Sequence, residues 1–264
     1  MADNKNAAIL FGAVVVAAAV AAGVYYYKQR FGQAAAPAPS STSTPTAPNV
    51  APNPIQHPLP QAEVRDEPLP PLEQSDEPAR DALKRTFGDG ILAFILPNNF
   101  IRNFVATVDN LPRSKLAARL NPVKPVPGAF ATRGTEEAAT LSPDNYARYA
   151  QLLQLFQTTD TQKLVDTYVH FYPLLQSAYE DLGYPDRYFN DRVVEVIDHL
   201  LTTPEPKEPI GLKQPKVFYE FEDPKLEGLS AGQKVLIRMG AAQAQATKTK
   251  LRDVRNRIAK QPPH

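Results

Sequence analysis

The sequence predicts a mainly α protein in three parts: a single N-terminal transmembrane helix, a disordered Pro-rich tether, and one α-helical domain with minor β elements. Three observations lead there. Residues 7–27 carry no charge and no strongly polar group. Residues 31–62 contain no Lys, Arg, Asp or Glu, and eight of those 32 positions are proline. From about Leu72 onward charges return and apolar residues recur every three or four positions, the period of a helix with one buried face. The expected boundaries are a tail over residues 1–6, the membrane helix over 7–27, the tether over 28–72 and the globular domain over 73–264.

The first element runs from Ala7 to Tyr27 and is long enough, at ~1.5 Å per residue, to span a hydrocarbon layer of about 30 Å. Tyr25, Tyr26 and Tyr27 with Lys28 and Arg30 suit its end at the headgroup layer. A cleaved signal peptide would have a shorter apolar core followed by small residues, so the segment reads as a retained anchor, and its expected partner is the lipid bilayer. The positive-inside count is nearly balanced and leans slightly toward a cytoplasmic C-terminal side. The tether is too polar and proline-rich to offset its ordering entropy, which predicts a semi-extended polyproline-like spacer. A neutral Ala/Pro/Ser/Thr spacer after one N-terminal span is similar to those of bacterial envelope proteins. That likeness favours a periplasmic domain on the inner membrane.

Within the domain, Ser75, Asp76, Glu77 and Pro78 read as a helix start. Asn98 and Asn99 are expected to cap a second helix, with Phe100, Phe104, Val105 and Val108 on one face, stopped by Pro112. Residues 121–128 hold three prolines and predict a loop, and residues 130–132 and 138–141 predict a small hairpin. Helices are expected after Ser142, after Thr159 or Asp160, and around Val193 to Leu201, the second of them kinked by Pro173 and ended by Gly183. Val217, Tyr219 and Phe221 alternate as in a short strand. Ser230 and Gln233 fit a capping box opening one long helix to about Ala259.

Composition narrows the chemistry. The 264 residues include no cysteine and no tryptophan, and the net charge is +1. That excludes disulfides, cysteine-ligated metals and thiol catalysis. The sequence has no phosphate loop, dinucleotide fingerprint, zinc-protease helix or nucleophile elbow, so no cofactor is expected, and no metal or catalytic residue is assigned. One polar constellation stands out. Asp191, Glu195, Asp198 and His199 fall at steps of four, three and one, so Asp191, Glu195 and one of the last two can share a helix face. Carboxylates beside an imidazole can bind a divalent metal or move protons; the plainer expectation is a solvated or ion-paired face. The loop from Tyr184 to Tyr188 is a second candidate. The third is charge: residues 234–260 hold eight basic side chains and one acid, whereas residues 63–233 carry 18 basic and 26 acidic ones. Lys248, Lys250, Arg252, Arg255 and Arg257 could present a basic surface to anionic lipid or an acidic protein. Docking through Leu251, Val254 and Ile258 onto the acidic body is the favoured expectation, and no nucleic-acid motif is present.

Four stretches carry a family resemblance: NFIRNFVATVDNLPR at 99–113, YFNDRVVEVIDHLL at 188–201, KVFYEFEDPKLEGLSAGQKVLIRMG at 216–240 and KLRDVRNRI at 250–258. Together they resemble the bacterial domain-of-unknown-function family 3014. The resemblance implies a membrane-anchored bacterial protein and brings no activity with it. The functional expectation is therefore a non-catalytic envelope module that binds another protein or a cell-wall component. The competing expectation is an envelope hydrolase or metal-dependent enzyme using the Asp191, Glu195 and His199 face.

Overall fold

The computed structural model describes residues 54–59, 68–126, 128–216 and 218–259. The expected tail over 1–6, the membrane helix over 7–27, most of the tether and Val217 lie outside the described residues. Among the described residues no helix is long and apolar enough to cross a membrane. The described residues form eight α-helices and two two-stranded ribbons, and the domain is mainly α as the helical periodicity predicts.

Helix α1 (Asp76–Phe87) opens with Asp76 and Glu77 in its first turn and buries Ala79, Ala82, Leu83 and Phe87 along one stripe. Its end falls at Gly88, whose φ of 79° is the left-handed backbone that glycine adopts without strain. The next helix, α2 (Phe100–Asn110), is capped differently from the sequence expectation. Asn99 sits in the left-handed region and makes no side-chain cap. The cap comes from Asp76, whose carboxylate accepts from the backbone N–H groups of Asn99 and Phe100, both at 2.8 Å. One acid thus serves the first turn of its own helix and the start of the next, and fixes the two helices against each other.

The hairpin forms as expected, with β1 (Thr132–Arg133) antiparallel to β2 (Thr140–Leu141). A second ribbon pairs β3 (Leu212–Lys213) with β4 (Glu220–Phe221). The two ribbons share a small satellite core of Ala139, Leu141, Ile210, Leu212, Phe221 and Ile237. Helices α3 (Asp144–Thr158), α4 (Thr161–Asp181) and α5 (Phe189–Leu201) follow the predicted stripes. Asp160 caps α4 by accepting from Lys163 N at 2.9 Å. Helix α4 continues through Pro173, whose ring is exposed.

After the short α6 (Pro224–Glu227), the capping box of Ser230 and Gln233 is present as predicted and opens α7 (Ala231–Arg238). The single long helix expected beyond it is two helices. Gly240, with φ 86°, breaks the run before α8 (Ala241–Ile258). A Cβ there would lie 2.8 Å from the Tyr146 ring, so the corner requires glycine for both its backbone and its space. Helix α8 packs against α3, α4, α5 and α7 at the centre of the domain. Leu251, Val254 and Ile258 are at most 2% exposed, so the helix is docked rather than free.

Part of the stretch read as tether makes contacts with the domain. Residues 54–59 lie against α5, and a 3-10 turn over Leu72–Gln74 leads into α1. Charge and proline content gave no sign of this, because the hydrogen bonds that hold residues 54–59 are made to backbone groups.

Candidate functional site

The polar constellation predicted on α5 is present on that helix, but its members engage four different neighbours. Asp191, in the first turn, accepts from the backbone N–H of Gln56 at 3.0 Å and of His57 at 2.7 Å. Glu195 is exposed and pairs with Arg192 at 2.9 Å. Asp198 takes a two-pronged contact from Arg255 on α8, through Nε to Oδ1 and Nη2 to Oδ2. His199 Nε2 lies 2.9 Å from Ser230 Oγ, the cap of α7. Among the described residues no group of three or more His, Cys, Asp or Glu side chains converges as metal ligands would.

Beneath this face lies an ion-pair hub that sequence spacing did not single out. Asp109 of α2 is 3% exposed. Its Oδ1 accepts from Arg192 Nε at 3.0 Å, and its Oδ2 from Arg113 at 2.8 Å. Arg192 also donates to the Asp109 carbonyl at 2.7 Å. Burial works against the Arg192 charge, but the hydrogen bond to Glu195 and the nearby Asp109 carboxylate outweigh it and raise its pKa. For His199 the balance is opposite: burial first, then the Arg192 charge, lowers its pKa and favours the neutral ring. Ser230 Oγ accepts from Gln233 N–H and keeps a hydroxyl proton, which a neutral Nε2 can accept.

The loop candidate is divided between two tasks. Tyr184 stacks on Tyr179 with ring centroids 4.7 Å apart, which is packing. Tyr188 faces the docked segment, and its hydroxyl accepts from Leu59 N–H at 3.3 Å. Next to it, Asn190 Nδ2 donates to the His57 carbonyl at 2.7 Å and to the Ile258 carbonyl at 3.0 Å. Asn190 is fully buried; its Oδ1 accepts from Tyr168 at 2.9 Å, and its N–H donates to Tyr172 at 3.1 Å. Tyr188, Asn190 and Asp191 therefore form one cradle at the start of α5. Asn190 gave no sequence signal beyond lying beside Asp191.

The basic side chains of α8 are mostly taken up by the fold. Lys248 is 4% exposed, not on the surface as its position in a basic run suggested. Its ammonium donates to Thr203 O at 2.6 Å and lies 3.4 Å from Glu205, because the loop after α5 leaves carbonyls that need a donor. Lys250 donates to Thr159 O at the C-terminal end of α3. Arg255 is held by Asp198, and Arg257 by Asp253 and Gln162. Arg252 is exposed.

The geometry thus defines an α-helical domain with a peptide-bearing cradle at one helix start. A family model, "Protein of unknown function (DUF3014)", matches residues 100–255. That is more than half of the chain, which therefore belongs to the DUF3014 family. The matched stretch contains Tyr188, Asn190 and Asp191 and excludes residues 54–59. No curated protein and no solved structure matches the chain.

Proposed function

We propose that this protein is a membrane-anchored component of the bacterial envelope whose helical domain is a non-catalytic binding module on the periplasmic side. The carrying observation is the cradle on α5, where Tyr188, Asn190 and Asp191 hold a bent stretch of polypeptide by its backbone. The uncharged run over residues 7–27 and the charge-free spacer over 31–62 support the anchored arrangement. A partner protein or a cell-wall component is the expected target.

Fractionation of cells is expected to leave the full chain with membranes, and removal of residues 1–30 to release a folded soluble domain. A reporter fused after His264 should be active only outside the cytoplasm; cytoplasmic activity would reverse the topology. In-cell crosslinking from the domain, read by mass spectrometry, should capture a specific partner. Glu195→Gln with His199→Gln should leave that capture intact. Loss of a cell-wall-degrading activity in this double variant would replace the binding module with an enzyme.

A further inference from the structure

The contacts between α5 and residues 54–59 have the form of a receptor holding a ligand. Among the described residues, the hydrogen bonds between the cradle and the segment all use main-chain atoms of Gln56, His57 or Leu59. Pro58 has no N–H to satisfy, and its ring faces solvent. His57 and Leu59 are half-buried while Gln56 and Pro58 are exposed, and the chain bends at Gln56 and His57, which turns two successive N–H groups toward one carboxylate. Leu59 packs against the main core. Such a site reads backbone shape and two side chains rather than a unique sequence.

We propose that the start of α5 is a binding site for short, bent peptide segments, and that residues 54–59 are its built-in, displaceable occupant. The favoured ligand offers two successive backbone N–H groups to Asp191, a carbonyl to Asn190, and an apolar side chain two positions beyond that carbonyl. The receiving side is organised largely without the segment. Tyr168 and Tyr172 from α4 and the Ile258 carbonyl from α8 hold Asn190 in place. Asp191 occupies the first turn of a thirteen-residue helix, where the helix dipole favours a carboxylate.

The occupant fits imperfectly. His57 Nδ1 is buried and has no hydrogen-bond partner among the described residues, which weakens binding of this side chain. A tethered ligand need not be a good one, because a short connection raises its effective concentration to roughly the millimolar range. A free peptide with an apolar residue in place of His57 is therefore the stronger competitor.

The site gives the binding module proposed above a ligand class, and it rests on that reading only for its cellular use. The test uses the full-length protein in detergent micelles and fluorescent synthetic peptides covering residues 51–62, with the native sequence or with His57→Leu. Wild type should bind the native peptide weakly and the His57→Leu peptide more tightly. Full-length Gln56→Pro/His57→Pro loses both N–H donors of the occupant and should bind either peptide at least about tenfold tighter than wild type. Adding Asp191→Ala should abolish that gain. If the proline variant fails to fold, Leu59→Asp displaces the occupant by another route. Hydrogen exchange should find the Gln56 and His57 amides protected in wild type and fast in Asp191→Ala. A folded, unplugged variant that binds neither peptide, binding that survives Asp191→Ala, or equal exchange in the two proteins would overturn the proposal. Peptide binding without any partner captured in cells would remove the binding-module role and keep the site; capture without peptide binding would do the reverse.

Discussion

Asp109 is the residue on which the most rests. Its carboxylate faces two guanidinium groups, of which Arg192 is mostly buried and Arg113 is exposed. Asp109→Ala leaves the Arg192 charge without its buried partner and should cost about 3 to 5 kcal/mol in urea unfolding. Arg113→Ala removes an exposed arm and should cost at most about 1 kcal/mol. His199 supplies a pH signature. An unfolded histidine titrates near 6.5, and burial lowers the folded value, so the native state binds the proton less readily. The resulting stability is complete above pH 6.5 and is lost as the pH falls through 6.5 toward the lower folded value. His199→Gln should flatten the stability-against-pH curve in that window; an unchanged slope would assign the acid sensitivity to other groups.

At the scale of elements, the docked C-terminal helix makes a ranking. Ile258→Ala should lower stability by about 2 to 4 kcal/mol, since the side chain is fully buried. Arg252→Ala should change it by no more than about 0.5 kcal/mol. Gly240→Ala forces a side chain onto a left-handed corner and into the Tyr146 ring, and should cost at least about 1 kcal/mol. Thermal or urea melts of the three variants check the order. Helix positions were legible because burial on one face imprints a period, as in the stripe from Leu164 to Tyr179 on α4. The break at Gly240 was not, because one glycine within a helical period does not reveal the ring that must pass it. Nor was the cap on α2, because Asp76 lies 23 residues before the N–H it serves.

For the whole molecule, the split between an acidic body and a basic C-terminal run was visible in composition, and its outcome is docking. Asp198 meets Arg255 across 57 residues, and Thr203 meets Lys248 across 45. Charge counts reveal such attraction but not its pairings. The candidate site was half legible. Spacing located Asp191, Glu195, Asp198 and His199 on one helix, but what each side chain faces depends on how distant elements pack. Asp191 and Tyr188 were legible as separate candidates, but Asn190 and the cradle they form together were not: its ligand is backbone, and backbone leaves no pattern in composition.

That cradle also sets how the domain is loaded mechanically. With the proposed anchor held in the membrane, tension on the spacer reaches the hydrogen bonds at Asp191, Asn190 and Tyr188 before it reaches the helical core. The clasp acts as a fuse. Its release frees residues 54–59 from α5, and the core then sits in series with a longer leash. Single-molecule pulling from the N-terminal side should record this low-force step ahead of global unfolding, and Asp191→Ala should erase it while leaving the main unfolding force nearly unchanged.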